Sequence, residues 1–87
     1  QYYNGSPDFI IEITSTNYSR DYEKIMLYKE SGVREYWIID TRKEKVIVLF
    51  FEKNPNSFTL YKFTDNIPVN IYDGNISINI SKLLMQE

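Results

Sequence analysis

Residues 7–40, PDFIIEITSTNYSRDYEKIMLYKESGVREYWIID, contain the pattern that decides the fold. Two short apolar runs, at 8–14 and 35–40, predict strands with at least one buried face. The segment between them predicts a helix from residue 19 or 20 to residue 31, and Gly32 follows where a helix end favours a left-handed residue. A strand, a helix of about a dozen residues and a second strand form a right-handed crossover, so the two strands are expected to be parallel.

The rest of the chain changes to a rhythm of short strands separated by polar turns. The pattern predicts strands at 45–52 and 57–63, a weakly extended stretch at 67–72, alternating isoleucines at 76–80, and a last short helix from Ser81 covering 82–85. The predicted fold class is therefore α/β, with a mixed sheet in which a βαβ crossover is followed by an antiparallel meander. All 87 residues are expected to belong to one small domain.

The composition excludes several kinds of functional site. The chain has no Cys, which removes disulfides, zinc ribbons and thiol nucleophiles, and no His, which removes the commonest general base and imidazole metal sites. The net charge of −2 argues against binding to nucleic acid through a global positive field. Catalysis would therefore use carboxylates, Lys, Tyr or Ser, and a hard metal ion that prefers oxygen ligands is the natural cofactor.

The sequence also bears on location. No apolar run approaches the ~18–20 residues that span a bilayer, and no signal peptide is visible, so the expectation is a cytoplasmic protein without a membrane partner. The chain begins at Gln1 and enters a strand within a few residues. This beginning predicts a fragment, the C-terminal part of a single domain whose upstream strands and helix are absent.

Two carboxylates, Asp8 and Glu12, belong to the first predicted strand. Residues four apart on a strand point to the same face but lie about 13 Å apart at ~3.3 Å per residue, too far to ligate one ion together. If Glu12 binds a metal, its partner carboxylate must come from another element. The alternative is that Glu12 is an outward residue of an edge strand.

The predicted helix carries Asp21, Lys24 and Tyr28 on one stripe. An early-helix lysine in a crossover could project toward the C-terminal end of the strand, where its ammonium would stabilise an oxyanion or orient a water. The alternative is a solvated Lys24 that pairs with Asp21. Trp37 and the aromatic residues of the meander are expected to pack in the core, and Ser15 has no His to activate it as a nucleophile.

Three blocks in order resemble the Uma-two family of bacterial predicted endonucleases, within the PD-(D/E)xK restriction-endonuclease-like superfamily. The blocks are PDFIIEITS at 7–15, the spacing D-x-x-K-x-x-x-Y of Asp21, Lys24 and Tyr28, and GVREYWIID at 32–40. The resemblance is close over residues 5 to 40, and the meander follows in general shape to about residue 84. It implies a restriction-endonuclease-like fold that is incomplete at the N-terminus.

The resemblance also implies a two-carboxylate Mg²⁺ or Mn²⁺ site that hydrolyses DNA phosphodiester bonds. Glu12 would be a metal ligand and a catalytic residue. Because Thr14 stands where the motif has its strand lysine, Lys24 on the helix would take that catalytic role. Asp8, Ser15, Asp21 and Tyr28 would support the site or the fold around it.

The chain departs from the family pattern in ways that keep other functions open. The upstream Pro-Asp strand and a helical Glu are missing, so the resemblance implies that this fragment is inactive alone. The alternative is a non-catalytic module with a nuclease fold that binds nucleic acid or a protein partner. A third class, an all-β interaction or sugar-binding module, rests on the Tyr-rich meander and predicts no helix at 19–31. The sheet edge left by the absent segment makes homodimerisation a hypothesis.

Overall fold

The computed structural model describes residues 7–15 and 19–84, and the order of its elements follows the predicted crossover and meander. In chain order the elements are β1 (Phe9–Thr14), α1 (Ser19–Ser31), β2 (Glu35–Asp40), β3 (Lys45–Leu49), β4 (Thr59–Lys62), β5 (Ile67–Pro68), a 3₁₀ helix (Asn70–Tyr72), β6 (Ser77–Ile78) and α2 (Ile80–Leu84). The presence of α1 excludes the all-β alternative.

The main sheet has four strands in the order β1-β2-β3-β4. β1 and β2 are parallel, with Glu12 opposite Ile38, while β2–β3 and β3–β4 are antiparallel. β5 and β6 form a separate two-stranded antiparallel sheet. The predicted mixed α/β sheet is confirmed. Helix α1 connects the two parallel strands in the chain, as a parallel connection requires.

Helix α1 ends through a backbone motif centred on Gly32. Gly32 has a φ of +93°, its N–H donates to the carbonyl of Lys29, and the Val33 N–H donates to the carbonyl of Tyr28. These two bonds satisfy carbonyls that have no partner within the helix. The chain thus turns directly from α1 into β2, which fixes how α1 returns across the sheet.

Each face of the sheet carries its own apolar core. On the helix side Tyr36, Ile38 and Leu49 are buried, and Ile25 and Tyr28 of α1 pack against them. The opposite face is covered by the second sheet and α2. Its buried residues are Trp37, Ile39, Val46, Val48, Phe63, Ile67, Val69 and Ile80. Trp37 is fully buried there, which confirms its predicted core role.

The boundaries of the meander differ from the prediction. β3 ends at Leu49 rather than at 52, because the carbonyl of Phe50 accepts hydrogen bonds from Lys53 and Asn54 and turns the chain. The stretch 67–72 has only two strand residues before the 3₁₀ helix, and α2 begins at Ile80, one residue early. The packing role predicted for Phe58 is wrong, because its side chain is 61% exposed.

No helix in the described ranges has the length and apolar character needed to cross a lipid bilayer.

Candidate active site

Glu12 lies in the middle of β1 and faces α1. Its neighbours Ile11 and Ile13 are exposed, while Ile10 and Glu12 itself are half-buried, the alternation that a strand at the margin of a sheet produces. The side chain of Glu12 therefore points under the helix rather than into open solvent, although it retains 27% exposure.

Three side chains donate hydrogen bonds to the Glu12 carboxylate. The Lys24 ammonium donates to Oε1 at 3.0 Å, the Tyr36 hydroxyl to the same oxygen at 3.1 Å, and the Tyr28 hydroxyl to Oε2 at 2.8 Å. The carboxylate offers about four acceptor directions, so about one remains, on Oε2. Glu12 is thus held in one orientation by donors from two different elements.

The local structure explains why these donors meet. Lys24 and Tyr28 are four residues apart on α1, so they lie on one face of the helix, above β1. Tyr36 stands on β2 opposite Ile10, two residues before the partner of Glu12, and its ring reaches along the strand. The Tyr28 and Tyr36 rings pack edge to face with centroids 4.9 Å apart, which fixes both hydroxyls.

The donors keep Glu12 ionised. Partial burial by itself raises the pKa of this carboxyl, but hydrogen bonds from Lys24, Tyr28 and Tyr36, together with the charge of Lys24, more than offset it. The net result is a pKa below the ordinary value of 4.5. The hydrogen bond to Glu12 and burial raise the pKa of Tyr28, so that its hydroxyl remains a donor at neutral pH.

The site is open on the lysine side. The Lys24 side chain is 48% exposed, so the ion pair with Glu12 contributes only about 0.2–1 kcal/mol to stability. The same exposure means that a ligand can approach both the ammonium and the carboxylate from solvent. This cluster can hold a cation on Glu12 and an anion on Lys24 at the same place.

The other predicted site residues do not join this cluster within the described residues. Asp8 precedes β1, its carboxylate is 66% exposed, and it lies 3.8 Å from Arg34. Its backbone carbonyl accepts hydrogen bonds from the Arg34 and Glu35 amides, a link between the starts of β1 and β2. Ser15 is exposed just after β1, and the side chain of Asp21 lies outside the described residues.

Sequence reasoning gave Tyr36 no role at the site and missed its hydrogen bond to Glu12. Parallel pairing of the two strands places both residues on the helix side, so the register was the only available signal. The sequence also gave no indication of a role for Glu35, which is fully buried on the other face of the sheet. The carboxylate of Glu35 accepts hydrogen bonds from the Trp37 indole, from the backbone and side-chain amides of Asn70, and from the Ile71 amide.

The donor set near Glu12 suits part of a site for a hard divalent cation. A half-exposed carboxylate with a free acceptor direction is a suitable ligand for Mg²⁺ or Mn²⁺. Among the side chains that the structure describes, those of residues 7–15 and 22–84, no three Asp, Glu, His or Cys residues group together as a metal site. Glu12 therefore fits as one ligand, and a complete site needs further oxygen ligands from elsewhere.

Comparisons with known proteins identify the family and agree with the fold. Residues 1–80 match the model of the Uma2 (Uma-two) family, described as "Putative restriction endonuclease". The chain is also similar to a crystal structure of "a putative nuclease belonging to DUF820" from Anabaena variabilis, with a TM-score of 0.71 and 20% identity. That match covers 93% of this chain but 45% of the other, so the chain spans about half the length of this relative. No curated protein matches the sequence.

Proposed function

We propose that this chain, which belongs to the Uma2 family, forms the C-terminal part of a metal-dependent endonuclease acting on DNA. The description of the family and the fold of the chain support a nuclease-type function. The observation that carries the proposal is the contact of the Lys24 ammonium with the Glu12 carboxylate, 3.0 Å apart at a solvent-accessible site. The length of the structural relative supports a longer domain whose other half completes the site.

The residues of this chain have distinct tasks in the proposed reaction. Glu12, kept ionised by its donors, would be a metal ligand, and a divalent cation bound there would polarise the scissile phosphate and lower the pKa of the attacking water. Lys24 would contact the phosphate and stabilise the negative charge that grows on its oxygens as water attacks phosphorus. Tyr28 and Tyr36 are positioning residues, since their hydroxyls fix the carboxylate.

The arrangement implies competition for Glu12. Its Oε1 already accepts hydrogen bonds from Lys24 and Tyr36, while Oε2 accepts one from Tyr28. Glu12 would hold a divalent cation in competition with these donors. Lys24, which is 48% exposed, would then be available to contact an incoming phosphate.

Plasmid cleavage by the full-length protein with Mg²⁺ or Mn²⁺ tests the proposal. We expect Glu12→Gln and Lys24→Gln each to lower the cleavage rate by about 10²–10³-fold, the loss typical of a group that stabilises transition-state charge. Glu30→Gln, which removes an exposed carboxylate from the same helix, serves as the matched control and should cut at the normal rate. Equal cutting by the Glu12 variant and the unchanged protein would overturn the role of Glu12.

Calorimetric titration with Mn²⁺ separates the two roles. Glu12→Gln should lose Mn²⁺ binding, whereas Lys24→Gln should keep it, because removal of a neighbouring positive charge favours a cation. If both variants lose cleavage and both also lose Mn²⁺ binding, Lys24 supports the metal site structurally. That result would contradict the proposed role of Lys24.

The second candidate is a non-catalytic module that binds nucleic acid or a protein partner. It is favoured by one observation: the described residues offer a single carboxylate at the site, and three donors already hold it. For this function the titration would show no Mn²⁺ binding that depends on Glu12. The plasmid would then remain intact under all metal conditions.

A further inference from the structure

An apolar groove lies on the helix side of the sheet, on the far side of α1 from Glu12. Its cavity volume is about 370 Å³. The apolar side chains that line it include Tyr22, Ile25, Ile47, Leu49, Phe58 and Leu60. The groove therefore runs between the first half of α1 and strands β3 and β4.

The groove is open because α1 covers only part of the sheet. Ile25 and Tyr28 of α1 pack against a cluster that includes residues of β2. In the described chain this leaves the helix side of β4 without a covering element. Tyr22 is 64% exposed, Phe58 61% and Leu60 56%. Two aromatic rings thus stand accessible at one depression, an arrangement that singly scattered surface aromatics do not produce.

Lysines surround one end of this groove. Lys43 and Lys45 line the groove itself and also an adjoining cleft lined by Lys62. Lys45 and Lys62 stand directly opposite each other on β3 and β4, where like charges destabilise a sheet. In the described residues no carboxylate forms an ion pair with Lys45 or Lys62. Glu44 is the acidic residue in the cleft.

We propose that this groove and its lysines bind a single-stranded segment of nucleic acid, which on the proposed function would be substrate beyond the scissile phosphate. Lysines along the path of a backbone neutralise phosphates, and accessible aromatic rings stack on unpaired bases. The chain carries a net charge of −2, so this concentration of positive charge is local rather than a general property of the surface. The positive charge of the lysines favours a polyanion. The exposed rings of Tyr22 and Phe58 favour bases that are free to stack.

The groove and the candidate active site lie on the same side of the sheet, with α1 packed between them. Glu12, Ile38 and Ile47 form one row across three strands, and Lys45 lies two residues further along β3. With strands ~4.8 Å apart and a rise of ~3.3 Å per residue, Lys45 lies about 12 Å from Glu12 between Cα atoms. A single strand that contacts both Lys24 and Lys45 would have to pass around α1, so it would span several nucleotides at ~3.4 Å per nucleotide or more.

The test is fluorescence anisotropy of a labelled 15-nucleotide oligothymidylate, with the same sequence in duplex form as a second probe. EDTA is present, so that binding is measured without cleavage. The variants are the double substitution Lys45→Gln with Lys62→Gln, and Phe58→Ala. The matched control is Lys53→Gln with Lys82→Gln, which removes the same charge from exposed positions elsewhere. Circular dichroism establishes that each variant keeps α1.

We expect the Lys45/Lys62 variant to bind the single strand about tenfold more weakly at ~50 mM salt, with a salt slope smaller by about 1.4, the value for two phosphate contacts on a single strand. Phe58→Ala should weaken binding about 5- to 150-fold, the range for loss of one stacked base. The control variant should bind as the unchanged protein does.

Three results would overturn the proposal. The first is an equal loss of binding affinity in the control and the Lys45/Lys62 variant. The second is tighter binding to the duplex than to the single strand, unchanged by Phe58→Ala. The third is a change in molecular mass with Phe58→Ala, which would show that the groove is a contact between protein copies. The readout is independent of the proposed nuclease activity. If plasmid cleavage depends on Glu12 but the groove variants bind the oligonucleotide normally, only the groove proposal fails. If the groove variants weaken binding but the protein cleaves no plasmid with any metal, only the nuclease proposal fails.

Discussion

At the scale of single residues, the contacts of Glu12 bear on both stability and the proposed function. The same three donors that orient its carboxylate also make its ionised form more favourable in the folded chain than in the unfolded one. A group whose pKa is lowered by folding contributes stability above its unfolded pKa. That contribution disappears as the pH falls below the ordinary value of 4.5 and through the lower value of the folded state.

Acid should therefore destabilise the chain partly through Glu12. We expect the free energy of unfolding to fall as the pH is lowered through the ordinary value of 4.5, and Tyr28→Phe to reduce the slope, because one donor to the carboxylate is gone. Tyr28→Phe should also lower stability at pH 7 by about 1 kcal/mol. Urea denaturation monitored by circular dichroism at a series of pH values measures both.

Tyr22→Phe is the control for this experiment. Tyr22 belongs to the same helix, but its side chain is largely exposed, so the loss of its hydroxyl should leave the pH profile as it is. A slope that is the same in Tyr28→Phe and the unchanged chain would contradict the link between this hydroxyl and the ionisation of Glu12.

At the scale of elements, the end of α1 determines whether Lys24 and Tyr28 reach β1. Gly32 adopts a φ of +93°, and an added Cβ there would meet no atom within 4 Å. Gly32→Ala should thus cost about 1 kcal/mol, from the backbone conformation alone. Thermal or chemical denaturation measures the loss.

Gly32→Asn separates backbone strain from other causes. Asparagine tolerates left-handed backbone better than alanine, so its loss of stability should be the smaller of the two. Equal or reversed losses would mean that the added side chain, rather than the dihedral angle, disturbs the link between α1 and β2.

At the scale of the whole molecule, β1 is the exposed margin of the fold. In the described part of the chain β1 pairs with β2 alone, and Ile11 and Ile13 are 41% and 64% exposed on the face opposite Glu12. An unpaired strand edge with apolar side chains is a template for association. We propose that the isolated 87-residue chain self-associates through this strand.

Light scattering over a range of concentrations tests the association. The unchanged chain should show a mass above 10.4 kDa that rises with concentration, and Ile11→Thr with Ile13→Thr should return it toward the monomer. Leu83→Thr, at an exposed apolar position of α2, is the control and should leave association as it is. A monomeric mass for the unchanged chain at every concentration would reject the proposal.

The crossover can be predicted from the amino-acid pattern alone. The apolar runs of β1 and β2, the helix between them and its end at Gly32 are set by side-chain periodicity and backbone preference within a few residues, so they can be predicted without knowledge of the rest. The three family blocks fall within the same stretch, which is why the amino-acid pattern alone marks Glu12 and Lys24 as candidate site residues.

Which groups meet across the sheet depends on the folded arrangement of the whole chain. The hydroxyl of Tyr36 reaches Glu12 because the strands pair in one register, and Glu35 is buried because amides of residues 70 and 71, far along the chain, donate to it. The early end of β3 and the exposure of Phe58 likewise depend on what packs against them. Hydrogen bonding and burial are properties of neighbours in space, and local patterns carry no information about neighbours that the chain brings together from a distance.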